Sequence, residues 1–527
     1  MGSANLHFPF INSSQSGLLS VKKGILLIPP IERSIGGLSA RINKLHSIEK
    51  YMNEATFDFG MIGLGVMGRN LLLNMADHGY AVIGFDKDIA KAGKLETDAS
   101  ANTKVKGVST LAEMIQQLKT PRKLMMLLPA GPIIDAVIND LLPLLEKDDI
   151  VIDGGNSHYT DTLRRINFLE DKGIHFMGMG ISGGEHGART GPSIMPGGDV
   201  EAWKKLKPIL EAVSAKVSLP AGQAGDEPCV AYMGKAAAGH YVKMVHNGIE
   251  YAIMQLISEV YDLAKRGAGL NNDELHNLFK KWNEGEMQSF LIEITASIFL
   301  KEDDLTRNRL VDMILDKAGS KGTGKWTSQD AMDLPVPIPT IDMAVAMRDL
   351  SVYKDERVAA FALFKPKIKT IGSNKEKFIQ QLHDGLYGAT LICYAQGLAM
   401  LHKGSAELQM DIPLQDVVRI WRGGCIIRSS LLEIFTTAFK KNKQLSNILL
   451  NKKVAAIMKK RQPALRKIIQ QASAAKIPVA GLMSALSYFD AYCSERLPTN
   501  LIQAQRDYFG AHTYQRIDNE GSFHTEW

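Results

Sequence analysis

Phe57-Asp-Phe-Gly-Met-Ile-Gly63-Leu-Gly65-Val-Met-Gly68-Arg-Asn70 is the stretch that decides the fold. A short apolar strand pattern runs into glycines spaced G-x-G-x-x-G, and an apolar helix pattern follows. Glycines so placed make a tight turn and let a pyrophosphate reach the N-terminus of the helix. The spacing alone is a weak signal. Here Asp86 closes the next strand pattern at the expected distance of roughly 20 residues, where a carboxylate meets the ribose of a dinucleotide. Gly63, Leu64, Gly65, Val66, Met67 and Gly68 are therefore expected to cradle a nicotinamide dinucleotide. Asp86 favours NAD, because a carboxylate there bonds the 2′-hydroxyl and repels a 2′-phosphate. Lys87 has the charge to pair with a 2′-phosphate, but between Asp86 and Asp88 it reads as a solvated cation.

Outward from this turn, short apolar runs alternate with helical stretches: AVIGFD (81–86), KLMMLLP (123–129), DIVIDGGN (149–156) and IHFMGMG (174–180). That alternation specifies a parallel α/β domain. After about Met233 the strand patterns stop and helical periodicity takes over, broken at Gly267-Ala-Gly269 and between Pro335 and Pro339. The expected fold is an α/β Rossmann-type N-terminal domain (52–236), then a large all-α domain (237–494) with an internal duplication, then a C-terminal tail (495–527). The duplication shows in Val245-His-Asn-Gly-Ile249, which returns as Leu382-His-Asp-Gly-Leu386. It shows again in Trp282 followed by Leu291-Ile-Glu-Ile294, matched by Trp421 followed by Leu431-Leu-Glu-Ile434. Residues 1–51 are Ser-rich and read as an extension outside the fold: a cleaved targeting peptide or, in preference, a disordered tail or sequence translated from upstream of a start at Met52.

The bulk numbers exclude several classes. The chain has 527 residues, 45% of them hydrophobic, and its net charge of +6 comes from 62 basic and 56 acidic residues. This is the balance of a soluble surface and gives no reason to expect nucleic acid as a partner. The four cysteines, Cys229, Cys393, Cys425 and Cys493, form no C-x-x-C pair, so neither a metal site nor a disulfide framework is expected. No apolar run approaches a membrane span, and the expected location is the cytoplasm.

Lys243, His246, Asn247, Glu250 and Tyr251 hold the richest chemistry. At 100° per residue they share one helical face of about 140°, while Val245, Ile249, Ile253, Leu256, Ile257 and Val260 make the rest apolar. A solvated face would repeat Glu and Lys rather than mix five polar types. A lysine and a glutamate two turns apart can divide the work of base and acid, with burial lowering the lysine pKa. In the second copy Gln380 and Tyr387 stand in their places, so packing does not require them. Three glycine-rich segments offer backbone contacts to ligands: 153–157, Ser182-Gly183-Gly184 and 319–326. The last nearly imitates a phosphate-binding P-loop, but Trp326 occupies the place of the hydroxyl residue and no strand-then-helix pattern is expected around it.

GLGVMGRN (63–70), IDGGNS (152–157), ISGGEHGAR (181–189), KMVHNGIEY (243–251), KGTGKWT (321–327) and RDYFGAHTY (506–514), in that order, resemble the signature segments of the decarboxylating 6-phosphogluconate dehydrogenases. The resemblance spans about 57–527. It implies oxidation of a phosphorylated sugar acid at its C3 hydroxyl, loss of carbon dioxide, and ribulose 5-phosphate as product, in gluconate use through the pentose phosphate pathway. It implies Lys243 as base and Glu250 as the acid that protonates C1. Asn156, Ser182, Gly183, Gly184, His246 and Asn247 would hold the carboxylate and hydroxyls; Tyr251, Lys321, Thr323 and Arg348 would hold the phosphate. Arg506 and His512 would reach the neighbouring subunit's site in a homodimer, and no metal is implied.

The same resemblance adds Leu128, Pro129, Ala130 and Asn156 to the cofactor contacts and makes NADP the family default. The chain departs from NADP-using members by Asp86-Lys87-Asp88 in place of Asn-Arg-Thr and Pro129 in place of Lys, which favours NAD. It also has His186 where a Glu is usual, for which there is no physical account. Two other readings are a dehydrogenase of small 3-hydroxy acids, which should lack the tail and the duplication, and a non-catalytic paralogue that only binds the dinucleotide.

Overall fold

The computed structural model describes residues 56–218, 225–371 and 374–527. The expectations for residues 1–51 fall outside them. Seven strands, β1 (Phe59–Ile62), β2 (Val82–Phe85), β3 (Val105–Val108), β4 (Lys123–Met126), β5 (Ile150–Asp153), β6 (His175–Ser182) and β7 (Ser193–Gly198), form one sheet in the order β3-β2-β1-β4-β5-β6-β7. All neighbours pair in parallel except β6 and β7. Apolar cores cover both faces of the sheet, so its central strands read as continuous apolar runs. The order reverses between β1 and β4, which opens the crevice where such sheets take nucleotides.

Two strands were not legible from the pattern. β3 is a half-buried edge strand, Val-Lys-Gly-Val, too short and polar to stand out. β7, Ser-Ile-Met-Pro-Gly-Gly, looks like a loop because Pro196 and two glycines interrupt it. An edge strand tolerates that proline.

The glycines of β6 and β7 serve the helix Ala238–Asp262, here termed the site helix. It lies directly on these strands, so close that a Cβ on Gly197 would come within 2.1 Å of Gly239 N and one on Gly180 within 2.4 Å of Lys243 Cβ. The sheet thereby fixes the first turns of the helix that bears Lys243.

Beyond it the chain is helical. The site helix packs against Lys375–Glu407, its counterpart in the duplication, and both belong to one apolar core. The conserved pattern of the repeat has a packing reason. Gly248 admits the side chain of Thr327, and Gly385 admits Ile468. The two units also exchange aromatic contacts. His246 meets Trp421 edge-on at 5.6 Å, and His383 meets Trp282 edge-on at 5.7 Å, so the histidine of each copy packs on the tryptophan of the other. Among the described residues no helix is long and apolar enough to cross a membrane.

The tail forms a helix, Thr499–Gly510, and folds back on it. The carboxylate of buried Asp507 accepts hydrogen bonds from Thr513 N, Thr525 N and Trp527 Nε1, each at 3.0 Å, and contacts His524 Nδ1 at 2.9 Å.

Candidate active site

The glycine turn has the form a dinucleotide needs. Gly63 adopts φ +95°, which a side chain disfavours, and a Cβ on Gly68 would lie 1.9 Å from Gly63 O. Gly65, by contrast, faces open space, with nothing within 4 Å of where its Cβ would be. Its bareness serves something outside the protein. Gly65→Ala is therefore expected to leave thermal stability unchanged and to weaken dinucleotide binding at least about tenfold, by blocking the backbone's approach to the pyrophosphate. Titration followed by protein fluorescence, beside a thermal melt, checks both halves.

Opposite this turn, Leu128, Pro129 and Ala130 leave β4, and Asn156 leaves β5. One buried residue ties the two loops together. Arg165 donates to Gly131 O at 3.1 Å, to both oxygens of Asp135 at 2.9 and 3.0 Å, and to Asp153 at 3.5 Å. Asp153 in turn accepts from Gly155 N and the Ser157 hydroxyl. The hydrogen bond from Arg165 holds the Asp135 carboxyl below its ordinary range.

Asp86 sits at the expected place after β2, but its carboxylate is already engaged. Oδ2 accepts Leu64 N–H at 2.8 Å and Oδ1 accepts Asp88 N–H at 2.9 Å, with Lys91 Nζ 3.4 Å away. Asp86 thus pins the glycine turn itself. Lys87 is exposed and free of ion pairs among the described residues.

Between the sheet and the helical region lies a cleft of about 590 Å³. Lys243, Asn247, Glu250 and Tyr251 line it, as the helical spacing predicts. Ser182, Gly183, Gly184 and Asn156 enter from the sheet side, and Lys321, Thr323 and Arg348 from the far side. His246 does not line the cleft; it lies beneath, fully buried. Its Nδ1 is 3.0 Å from Asn247 Oδ1 and 3.5 Å from Lys243 Nζ, and its Nε2 is 3.2 Å from Ser182 Oγ and 2.9 Å from Cys425 Sγ.

Lys243 is only 6% exposed. Burial lowers its pKa, against the pull of the nearby Glu250 and Cys425. Burial raises Glu250, opposed by Lys243 and Arg348. The His246 ring is pushed well below its ordinary value by burial and then by Lys243, so it is neutral.

The far end of the cleft is built for an anion. The Arg348 guanidinium stacks 3.5 Å over the Tyr251 ring, which fixes both side chains. Tyr251 packs on Gly324, where a Cβ would be 2.5 Å from the ring. The 319–326 loop opens a helix, Thr323–Asp333, so Thr323 stands at a helix N-terminus with exposed Lys321 beside it. No strand precedes it.

The second copy offers a control. His383, Asp384 and Glu286 form a group of metal-ligating type, yet the Arg461 guanidinium bonds both carboxylates and lies 5.0 Å over Tyr387. A protein side chain fills the face that in the first copy opens to the cleft.

Two expected site residues stand apart. Arg506 and His512 are exposed on the tail and do not line this chain's cleft. Met67 of the dinucleotide turn and Met254, on the same face of the site helix, complete the cleft wall with Ile181 and Ile426, and nothing in the sequence pointed to those two or to Cys425 behind them.

Two family models match the chain: the NAD binding domain of 6-phosphogluconate dehydrogenase over residues 58–256 and the 6-phosphogluconate dehydrogenase C-terminal domain over 239–527. The NADP(+)-dependent, decarboxylating 6-phosphogluconate dehydrogenase of Bacillus subtilis is 50% identical over 469 residues, which is 89% of this chain and 98% of that one. The decarboxylating enzyme 1 of Saccharomyces cerevisiae is 47% identical, over 87% and 92% of the two chains. The structure of Plasmodium falciparum 6-phosphogluconate dehydrogenase superposes with a TM-score of 0.85 at 44% identity, over 89% of this chain and all of that one. With the dinucleotide turn, the lysine and glutamate of the cleft and the duplicated helical unit all in one chain, these matches place it in the 6-phosphogluconate dehydrogenase family.

Proposed function

We propose that the cleft carries out the oxidative decarboxylation of 6-phosphogluconate to ribulose 5-phosphate and carbon dioxide, with NADP as hydride acceptor. One observation carries the assignment of roles: Lys243 and Glu250 share one helical face in one cleft, and burial shifts their pKa values toward each other. A lysine made less basic can take a proton from a hydroxyl, and a glutamate made less acidic can hold one to give.

Bound at the glycine turn, the dinucleotide supplies the hydride acceptor. Lys243 takes the proton of the C3 hydroxyl as the hydride leaves C3, and its ammonium then donates to the keto oxygen. That charge stabilises the enediolate as the carboxylate departs. Glu250 delivers its proton to C1 of the enediol. Arg348, Lys321, Thr323 and Tyr251 hold the phosphate, which sets the sugar's register along the cleft. Asn156, Ser182, Gly183, Gly184 and Asn247 orient the carboxylate and hydroxyls, with His246 behind them bearing on Ser182 and Asn247.

NADP is supported by the name of the Bacillus subtilis relative and by the Plasmodium falciparum enzyme, described in complexes with NADP+ as cofactor and 6-phosphogluconate as substrate. Exposed Lys87 is the cation available to a 2′-phosphate. Asp86, which bonds Leu64 N–H and Asp88 N–H, keeps its charge and a free lone pair on Oδ2 and is the residue that favours NAD. Asp86→Asn is expected to raise the ratio of kcat/KM with NADP to that with NAD; an unchanged ratio would assign Asp86 to the glycine turn alone. The homodimer belongs to the same reading, with Arg506 and His512 completing the partner's cleft, and their exposure on a tail held in shape by Asp507 supports it.

The test is an assay with 6-phosphogluconate, NADP and NAD in separate runs, following reduced cofactor and carbon dioxide together. Equal rises of both products are expected. Reduction without carbon dioxide would turn the assignment toward a simple 3-hydroxyacid dehydrogenase, and dinucleotide binding without turnover toward a non-catalytic paralogue.

A further inference from the structure

We propose that Cys425 is a positioning residue: its thiol donates a hydrogen bond to His246 Nε2, fixing the tautomer of the ring beside Lys243 and leaving the Ser182 hydroxyl free for the substrate. The inference rests on the reading of Lys243 as the base.

A neutral imidazole has one N–H and one lone pair. Asn247 Oδ1, 3.0 Å from Nδ1, can only accept, so the ring proton sits on Nδ1. Nε2 is then an acceptor, and two groups face it: Cys425 Sγ at 2.9 Å and Ser182 Oγ at 3.2 Å. The thiol is 1% exposed and its pKa is pushed up to about 12 by burial, so it keeps its proton throughout the working range. It is a permanent donor. Ser182 Oγ accepts Ile426 N–H at 3.3 Å, and with Nε2 satisfied by sulfur its own hydrogen is free to point into the cleft, which Ser182 lines and Cys425 does not.

The tautomer matters to Lys243, 3.5 Å from Nδ1. An N–H dipole directed at Nζ disfavours the ammonium, whereas a lone pair there would accept from it and stabilise it. The charged groups acting on Lys243 are Glu250 on the same helix and Arg348 beyond it, the Cys425 thiol being neutral. None of them changes with the ring tautomer. Removing the thiol leaves Ser182 two options. Its hydroxyl turns to Nε2 and is lost to the substrate, or Nε2 takes the proton and donates to Ser182 Oγ while Nδ1 turns a lone pair toward Lys243.

The test compares the full-length protein with Cys425→Ala and Cys425→Ser. Cys425→Val, nearer in volume, replaces the alanine variant if that fails to fold, and dinucleotide affinity reports on folding. Nitrogen-15 NMR of the histidines, with His246 assigned by its loss in His246→Gln, reads the tautomer. Steady-state profiles against pH read the consequence. In Cys425→Ala we expect one of two signatures: with the tautomer kept, KM for 6-phosphogluconate rises about tenfold, the value of one neutral hydrogen bond; with the tautomer flipped, the acid limb of kcat moves up by about one pH unit. Cys425→Ser, whose hydroxyl can still donate, should stay near the parent protein. The proposal is overturned if the tautomer, KM and acid limb are the same with and without the donor, or if serine is as impaired as alanine. Should the parent protein fail to oxidise 6-phosphogluconate, the functional reading falls, while the tautomer comparison still decides whether the thiol sets the ring.

Discussion

Lys243→Ala is expected to lower kcat on the order of 10³-fold or more, within the range a positioned base contributes, while dinucleotide affinity is unchanged. Lys243→Arg should be equally inactive, since a guanidinium cannot give up its proton near neutrality and so cannot serve as base. The pH profile carries the sharper test. In the parent protein activity falls on the acid side as Lys243 takes up a proton and on the alkaline side as Glu250 loses one. Because burial lowers the first pKa and raises the second, the bell is narrower than for a solvated lysine and glutamate. Glu250→Gln should abolish the alkaline limb and leave the acid limb in place. A residual rate in Lys243→Ala that kept the acid limb would assign the base elsewhere.

The second large effect comes from a residue with no chemistry of its own. A Cβ on Gly239 would lie 2.2 Å from Gly178 O, 2.5 Å from Met195 O and 2.6 Å from Gly197 N. All three are backbone atoms of β6 and β7, so no side chain can swing away to make room. Gly239→Ala must lift the site helix off the sheet, and overpacking of this kind costs about 3 kcal/mol, the upper end of its usual range. Lys243 stands one turn further along the same helix, so what folds should turn over poorly. A lowered melting temperature with kcat/KM down at least tenfold is the expected result. Full stability in this variant would show that the helix does not sit where the structure puts it. Gly65→Ala is its counterpart, a glycine whose methyl meets only ligand space.

These glycines show what the sequence could and could not reveal. The turn at 63–68 was legible because its spacing is set by a ligand's geometry and its neighbours alternate as strand and helix. The face of Lys243, Asn247, Glu250 and Tyr251 was legible because helical periodicity is local. Gly197 and Gly239 were not, since their reason is a contact between elements distant in sequence, and β7 gave no strand pattern on account of the residues that allow that contact. Cys425 was invisible for the same cause: it meets His246 across 179 residues. His246 itself was read as facing the cleft, and only tertiary packing shows it to be the support under the cleft floor. Asp86 was placed at its strand end by spacing alone, which could not show that two backbone amides also bond its oxygens.

The crossed pairing of histidines and tryptophans between the two helical repeats has a bearing on how the chain could be divided. Each repeat lacks, within itself, the aromatic wall against which its own histidine rests, so neither is a self-sufficient half despite their common pattern. A fragment ending between them would expose His246, and with it the support for Lys243, to water. The two copies should therefore unfold in one transition, and fragments cut between them should regain a working cleft only when both are present together.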